Sequence, residues 1–287
     1  MYNPTEHPFS LLPPPYYCGR QLRQKKEDFA LPFDLWSLHS SDSLPNRDIL
    51  AGQNYKRIKT NIFYDVKQSG DYETPACHCK PPTEPGKPAC GKSCLNRMTF
   101  TECDPESCPL GDRCSNTVIQ KQKSSVSVQR FMTRDKGWGI KTRTSVAKGT
   151  FIMEYLGEVV TDKEFKRRMQ TDYKHDSHHY CLHVGEGLVI DGYRMGGECR
   201  FVNHSCQPNC EMQKWTVNGN YRMALFALKD IKPNEELTYD YNFSLFNPHE
   251  GQKCFCGSSD CRGVIGGKTQ RINGKIPFRC YHGLFVM

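Results

Sequence analysis

From Phe131 to Tyr241 apolar residues come in short runs separated by glycine, asparagine and charged turns: WGIKT, TFIMEYLGEVV, YCLHV, LVIDGY, YRMALFAL and ELTYDY. Runs of this length, rich in β-branched and aromatic residues and bounded by turn formers, predict strands. One helix is well signalled. It opens at Thr161, with Glu164 as the second half of a capping box, and continues through Phe165 and Met169. The pattern predicts a mainly β domain with few helices. The run RFVNHSCQPNCEMQKW, Arg200 to Trp215, departs from it. Its Asn, Ser and Pro favour turns and local bonds to the backbone, so it reads as neither helix nor regular strand. It is either a polar surface loop with two incidental thiols or a junction where parts of a site meet.

Residues 1–60 are rich in Pro, Ser and charge without sustained periodicity and read as a flexible arm in which no core is expected. DFALPFDLWSL, Asp28 to Leu38, is an apolar island within that arm, suited to folding onto a partner or docking on its own chain. No run of about 18 apolar residues occurs, which predicts no membrane span. MYNPTEHPFS lacks the charged start and apolar core of a secretory signal. The expected setting is therefore inside the cell, where thiols stay reduced and clustered cysteines hold metal more often than they form disulfides.

The chain has 16 cysteines. Seven of them, Cys77, Cys79, Cys90, Cys94, Cys103, Cys108 and Cys114, fall within 38 residues. Zinc in a structural site takes four ligands, so two ions would need eight places: either one thiolate bridges or one place is vacant, and a bridge is preferred because a vacancy admits water. A second group, Cys254, Cys256 and Cys261, is one ligand short, and Cys181, Cys199, Cys206 and Cys210 lie upstream as possible donors.

The net charge is +8, and after Asp260 there are only basic charged residues, Arg262, Lys268, Arg271, Lys275 and Arg279. Such a tail is a solvated face or a contact to nucleic-acid phosphate.

With KGWGI, EYLGEV, NHSCQPN, ELTYDYNF and CFCGSSDC in this order, the chain resembles the SET-domain protein lysine methyltransferases. TNIFYDVK, RMGGECRFVNHSCQPNCEMQKW, YDYNFSLFN and CRGVIGGKTQR make it similar in particular to the Ash, trithorax-group, family. The resemblance implies small sheets around a knot-like core, flanked by zinc-stabilised cysteine-rich segments. It divides the chain into an arm (1–60), an AWS zinc module (72–122), a SET domain (123–247), a post-SET zinc motif (250–266) and a basic tail (267–287).

The implied activity is transfer of one or two methyl groups from S-adenosylmethionine to lysine 36 of histone H3 in nucleosomes, in the nucleus. The resemblance assigns Tyr241 as the catalytic tyrosine and Tyr239 as a residue that narrows the lysine pocket. Lys136, Trp138, Tyr180, Arg200, Asn203, His204, Tyr241, Gln252 and Phe255 become cofactor contacts, with Phe255 stacking on the adenine. Cys206 becomes the ligand that Cys254, Cys256 and Cys261 lack, and three zinc ions are implied. The segment NFSLFNPHEGQK is an expected autoinhibitory loop. Phe29, Leu31 and Pro32 resemble an FxLP motif recognised by MRG-domain chromatin proteins, which relieve that block. Nucleosomal DNA would be gripped by the basic surface. Two other readings remain at this point: a methyltransferase for another lysine, and a non-catalytic zinc module that binds chromatin.

Overall fold

The computed structural model describes residues 55–68, 74–82, 89–174, 180–241 and 253–265. All of these fall in the compact unit that begins at Tyr55. No helix among the described residues is long and apolar enough to cross a membrane.

The domain is built from small sheets. Strands β5 (Phe151–Tyr155), β11 (Cys210–Val217) and β12 (Asn220–Ala227) form a three-stranded antiparallel sheet with β12 in the middle. Side chains of a strand alternate between its faces, and β12 uses both. Met223, Leu225 and Ala227 enter the main core with Ile140, Ile152, Ile190 and Val202. Ala224 and Phe226 enter a second cluster with Ile119, Phe151, Trp215 and Val217. Burial on both faces explains the unbroken apolar run MALFAL, Met223 to Leu228.

A four-stranded sheet runs β2 (Ile62–Phe63), β6 (Glu158–Thr161), β8 (Leu188–Asp191), β7 (Cys181–Gly185). Strands β3 (Val128–Met132) and β4 (Trp138–Thr142) form a hairpin. Two parallel pairings of two residues each complete the frame. One joins β1 (Lys56–Arg57) to β9 (Met195–Gly196), and the other joins β10 (Asn203–His204) to β13 (Thr238–Tyr239).

Two expectations are corrected here. Strand β11 occupies Cys210–Val217, within and beyond the run that reads as turn material. All eight of its residues pair with β12, from Cys210↔Ala227 to Val217↔Asn220, and this tertiary ladder overrides local propensity. Lys56 and Arg57, assigned by composition to the arm, pair with β9, and Tyr55 packs edge-on against Phe201 at 5.8 Å. The domain therefore includes residues that composition assigns to the arm.

Helix α1 (Leu95–Met98) lies in the cysteine-rich segment and α2 (Asp162–Gln170) follows β6. The Thr161 hydroxyl accepts the Glu164 N–H at 3.2 Å, as the sequence predicts for the amino-terminal cap. The other half of the expected capping box is absent. The Glu164 carboxylate turns forward to Arg167 and Arg168 instead, and the Arg167 guanidinium first holds its carboxyl down at about 2.

Arg168 is 3 % exposed and lies 3.0 Å from Glu158, 3.0 Å from Glu164 and 2.9 Å from Asp191, whose Oδ2 also accepts the Tyr173 hydroxyl at 2.7 Å. Removing the cation leaves Glu158 and Asp191 buried without it. Arg168→Leu is expected to cost about 3–5 kcal/mol, read as a lowered urea midpoint. An unchanged midpoint contradicts this account.

Gly157 marks a close approach of backbones. A Cβ there would lie 2.4 Å from the Asp191 carbonyl oxygen, so the glycine of EYLGEV is required by packing.

Candidate active site and its cysteine clusters

The pairing of β10 with β13 sets Asn203 beside Thr238 and His204 beside Tyr239. Asn209, the second asparagine of NHSCQPN, fastens the approach to β13. Its Oδ1 accepts the Thr238 N–H at 2.9 Å, and its Nδ2 donates to the Glu236 carbonyl at 2.8 Å and to Glu235 Oε1 at 3.0 Å. Both asparagines are buried, so the run is a structural junction.

Tyr239 and Tyr241 have ring centroids 4.6 Å apart and both are buried. The Tyr241 hydroxyl donates to the Val202 carbonyl at 2.5 Å. Burial pushes both phenols well above their ordinary range, so both stay protonated. The Tyr241 N–H donates to His204 Nδ1 at 3.0 Å. Burial lowers the His204 ring to about 4, against the pull of Asp240, so it is neutral at pH 7.

Asn203 Nδ2 donates to the Trp138 carbonyl at 3.2 Å and to Glu236 Oε1 at 3.0 Å, while Glu236 Oε2 takes the Lys136 ammonium at 2.6 Å. A Cβ on Gly139 would lie 3.0 Å from Glu236 Oε1, so this glycine lets the KGWG turn close on the carboxylate. The Arg200 guanidinium lies 3.6 Å from the centre of the Tyr180 ring and 4.2 Å from that of Tyr55. Lys136, Trp138, Asn203, His204, Tyr239 and Tyr241 thus form one connected group, with Arg200 and Tyr180 stacked together. Phe255 is half-exposed, and Gln252, Phe29, Leu31, Pro32, the segment from 242 to 252 and the basic tail from 267 lie outside the described residues.

Several contributors lie within the quoted motifs without a role assigned to them there. Glu236 ties two signature turns together through partners 33 and 100 residues away. Val202 contributes only a carbonyl. Tyr155 is buried, and its hydroxyl has no hydrogen-bond partner. It belongs to the core cluster of Tyr239 and Tyr241. Its place in EYLGEV is the one available signal.

The cysteines converge in three sets. Cys77, Cys90, Cys94 and Cys103 form one, Cys90, Cys103, Cys108 and Cys114 another, and Cys206, Cys254, Cys256 and Cys261 the third, with sulfurs within 4.8 Å of one another in each. Metal–sulfur bonds of about 2.3 Å in a tetrahedron put sulfurs about 3.8 Å apart. Cys77 and Cys90 are 3.6 Å apart, Cys90 and Cys108 3.7 Å, Cys94 and Cys103 3.8 Å, and Cys206 and Cys254 3.8 Å. The donor sets therefore fit zinc. Cys79 packs against the first cluster but belongs to neither of its four-sulfur sets. Cys90 adopts φ of 54°, a left-handed backbone unfavourable for a residue with a side chain and held here by its surroundings. In the third set burial opposes ionisation of Cys256, but hydrogen bonds from the Cys206 backbone and Ser258 pull its thiol down to about 5, poised as a thiolate ligand.

Residues 137–242 match the SET domain model and residues 85–122 the AWS domain model. The chain belongs to the SET-domain family, with an AWS domain ahead of the SET domain. It is 55% identical over 267 residues to the histone-lysine N-methyltransferase ash1 of Drosophila melanogaster, a match covering 92% of this chain and 12% of that protein. It is 41% identical over 222 residues to human SETD2, covering 74% of this chain and 8% of that one. The chain thus spans about an eighth or less of these relatives. The methyltransferase domain of human SETMAR superposes with a TM-score of 0.59 at 29% identity, covering 74% of this chain and 90% of that structure.

SET methyltransferases use S-adenosylmethionine, and the polar groups around Trp138 and Arg200 suit such a ligand. Trp138 Nε1 and Arg200 Nε and Nη1 are buried donors without a hydrogen-bond partner. Buried polar groups rarely go unsatisfied, so these point to acceptors on a ligand.

Proposed function

We propose that this chain transfers one or two methyl groups from S-adenosylmethionine to lysine 36 of histone H3 in nucleosomes. The observation that carries the chemistry is the buried pair Tyr239 and Tyr241, with the Tyr241 hydroxyl fixed on the Val202 carbonyl. The lysine target rests on relatives: a human protein 41% identical over 218 residues is named as specific for lysine 36 of H3.

S-adenosylmethionine supplies an electrophilic methyl group on a sulfonium. Lys136, Trp138, Tyr180, Arg200, Asn203, His204, Gln252 and Phe255 are its proposed contacts. An attacking lysine must be neutral although its free pKa is about 10.4. Tyr241 and Tyr239 stay protonated, so neither takes that proton at neutral pH. The apolar channel and the nearby positive charge instead favour the neutral amine, and the proton leaves to water before the amine is enclosed. Tyr241 commits its hydroxyl hydrogen to Val202 and turns its oxygen lone pairs toward the reacting groups. Tyr155 and Tyr239 narrow the channel, which favours one or two methyl groups over three.

Three zinc ions are part of the proposal. Two sit in the AWS module, where Cys90 and Cys103 are common to both four-sulfur sets. Cys90, 3.6 Å from Cys77 of one set and 3.7 Å from Cys108 of the other, is the proposed bridging thiolate, and Cys79 completes the ligands. The third is held by Cys206, Cys254, Cys256 and Cys261. The autoinhibitory loop, the MRG-domain partner at Phe29, Leu31 and Pro32, and DNA contact by the basic surface rest on sequence motifs. Nuclear chromatin is the setting that a histone substrate implies.

The test uses nucleosomes carrying single H3 lysine substitutions and labelled S-adenosylmethionine. Label should be lost only with the lysine 36 substitution. Unchanged labelling of that nucleosome means another target, and no labelling of any nucleosome favours a binding module.

A further inference from the structure

His204 touches both the Tyr241 backbone and the Cys206 sulfur. On one side its Nδ1 accepts the Tyr241 N–H at 3.0 Å, and on the other its Nε2 lies 3.3 Å from Cys206 Sγ. A backbone N–H only donates, so Nδ1 is the bare nitrogen of the neutral ring and the proton sits on Nε2. The Nε2–H bond is therefore directed at sulfur. A metal-bound thiolate is a charged acceptor, whereas a thiol sulfur is a weak one.

We propose that His204 is a positioning residue that transmits occupancy of the Cys206–Cys254–Cys256–Cys261 metal site to the backbone of Tyr241. This rests on the reading that zinc fills that site. With the thiolate in place, the ring is held at both nitrogens and keeps its acceptor under the Tyr241 N–H. Without it, Nε2–H loses its strong acceptor, the ring is free to rotate, and a buried backbone donor is left unsatisfied.

A second connection runs alongside. The Arg262 N–H donates to the same Cys206 sulfur at 3.3 Å, and the Arg262 guanidinium grips Asp240 with both of its ends. Asp240 Oδ1 lies 3.6 Å from His204 Nδ1, but its charge is engaged by Arg262, leaving Nδ1 to Tyr241. Residues 240 and 241 are thus both fastened to the surroundings of one sulfur.

Cys261→Ser removes a ligand without altering His204 or Cys206. Native mass spectrometry should find one zinc fewer than in the unaltered chain. Amide hydrogen exchange at Tyr241 should quicken about tenfold, the scale of one hydrogen bond. In His204→Asn the amide oxygen reaches the Nδ1 position while the sulfur loses the ring's Nε2–H and keeps the Arg262 N–H. Adding Cys261→Ser to that variant should leave Tyr241 exchange unchanged. Loss of zinc with no change at Tyr241, or an equal change in both backgrounds, overturns the inference. Absence of zinc from these thiols in the unaltered chain overturns the metal reading beneath it, and the inference with it. The unaltered chain gives an independent check, because the imidazole 15N shifts must report the proton on Nε2. A proton on Nδ1 refutes the relay whether or not the variants fold.

Discussion

Tyr241→Phe is expected to lower methyl transfer by about 10²–10³-fold while leaving the protein folded. The substitution keeps the ring, which packs against Tyr239 at 4.6 Å and His204 at 5.4 Å, and removes only the oxygen that bonds the Val202 carbonyl. The stability cost is that of one buried hydrogen bond, about 1–2 kcal/mol. The cost in rate is larger, because the hydroxyl is buried and fixed on the Val202 carbonyl and in the proposed mechanism its lone pairs orient the reacting atoms. Single-turnover transfer to nucleosomes, with a thermal melt of the same sample, separates the two effects. An active Tyr241→Phe protein would remove the tyrosine from the mechanism.

Cys206→Ser should abolish most methyl transfer, lose one zinc, and leave the β signal in circular dichroism nearly intact. Cys254, Cys256 and Cys261 come from a segment with little core of its own, whereas the sheet made by β5, β11 and β12 is buried on both faces of β12. In the proposed arrangement, zinc supplies the folding free energy of the first and not of the second. Serine fits the space but is a poor zinc ligand, and it also withdraws the sulfur that His204 and the Arg262 N–H face. Activity close to that of the unaltered protein would show that the trailing segment is dispensable.

Much of this arrangement is legible in the residues. WGIKT occupies β4, and TFIMEYLGEVV spans β5 and β6. Thr161 caps the helix that its spacing to Glu164 predicts. These features are local, and their signals lie in the segments that form them. Strand β11 was hidden because its stability comes from pairing with β12. The two-residue strands β1, β2, β9, β10 and β13 are too short to generate periodicity.

The cysteine clusters are legible in spacing, but Cys206 lies 48 residues from Cys254, and only the family resemblance singled it out from Cys181, Cys199 and Cys210. Glu236 carries no signature beyond opening ELTYDY. Its partners Lys136 and Asn203 meet it only once the hairpin of β3 and β4 folds over β10. The unpartnered hydroxyl of Tyr155 becomes visible only when burial is known.

The most direct test of the account is calorimetric titration of the zinc-loaded chain with S-adenosylhomocysteine, the product left after methyl transfer. The unpartnered donors of Trp138 and Arg200, with Asn203 and His204, predict one molecule bound per chain, with binding lost when a chelator strips the zinc. A zinc-loaded, folded chain that binds none would contradict it.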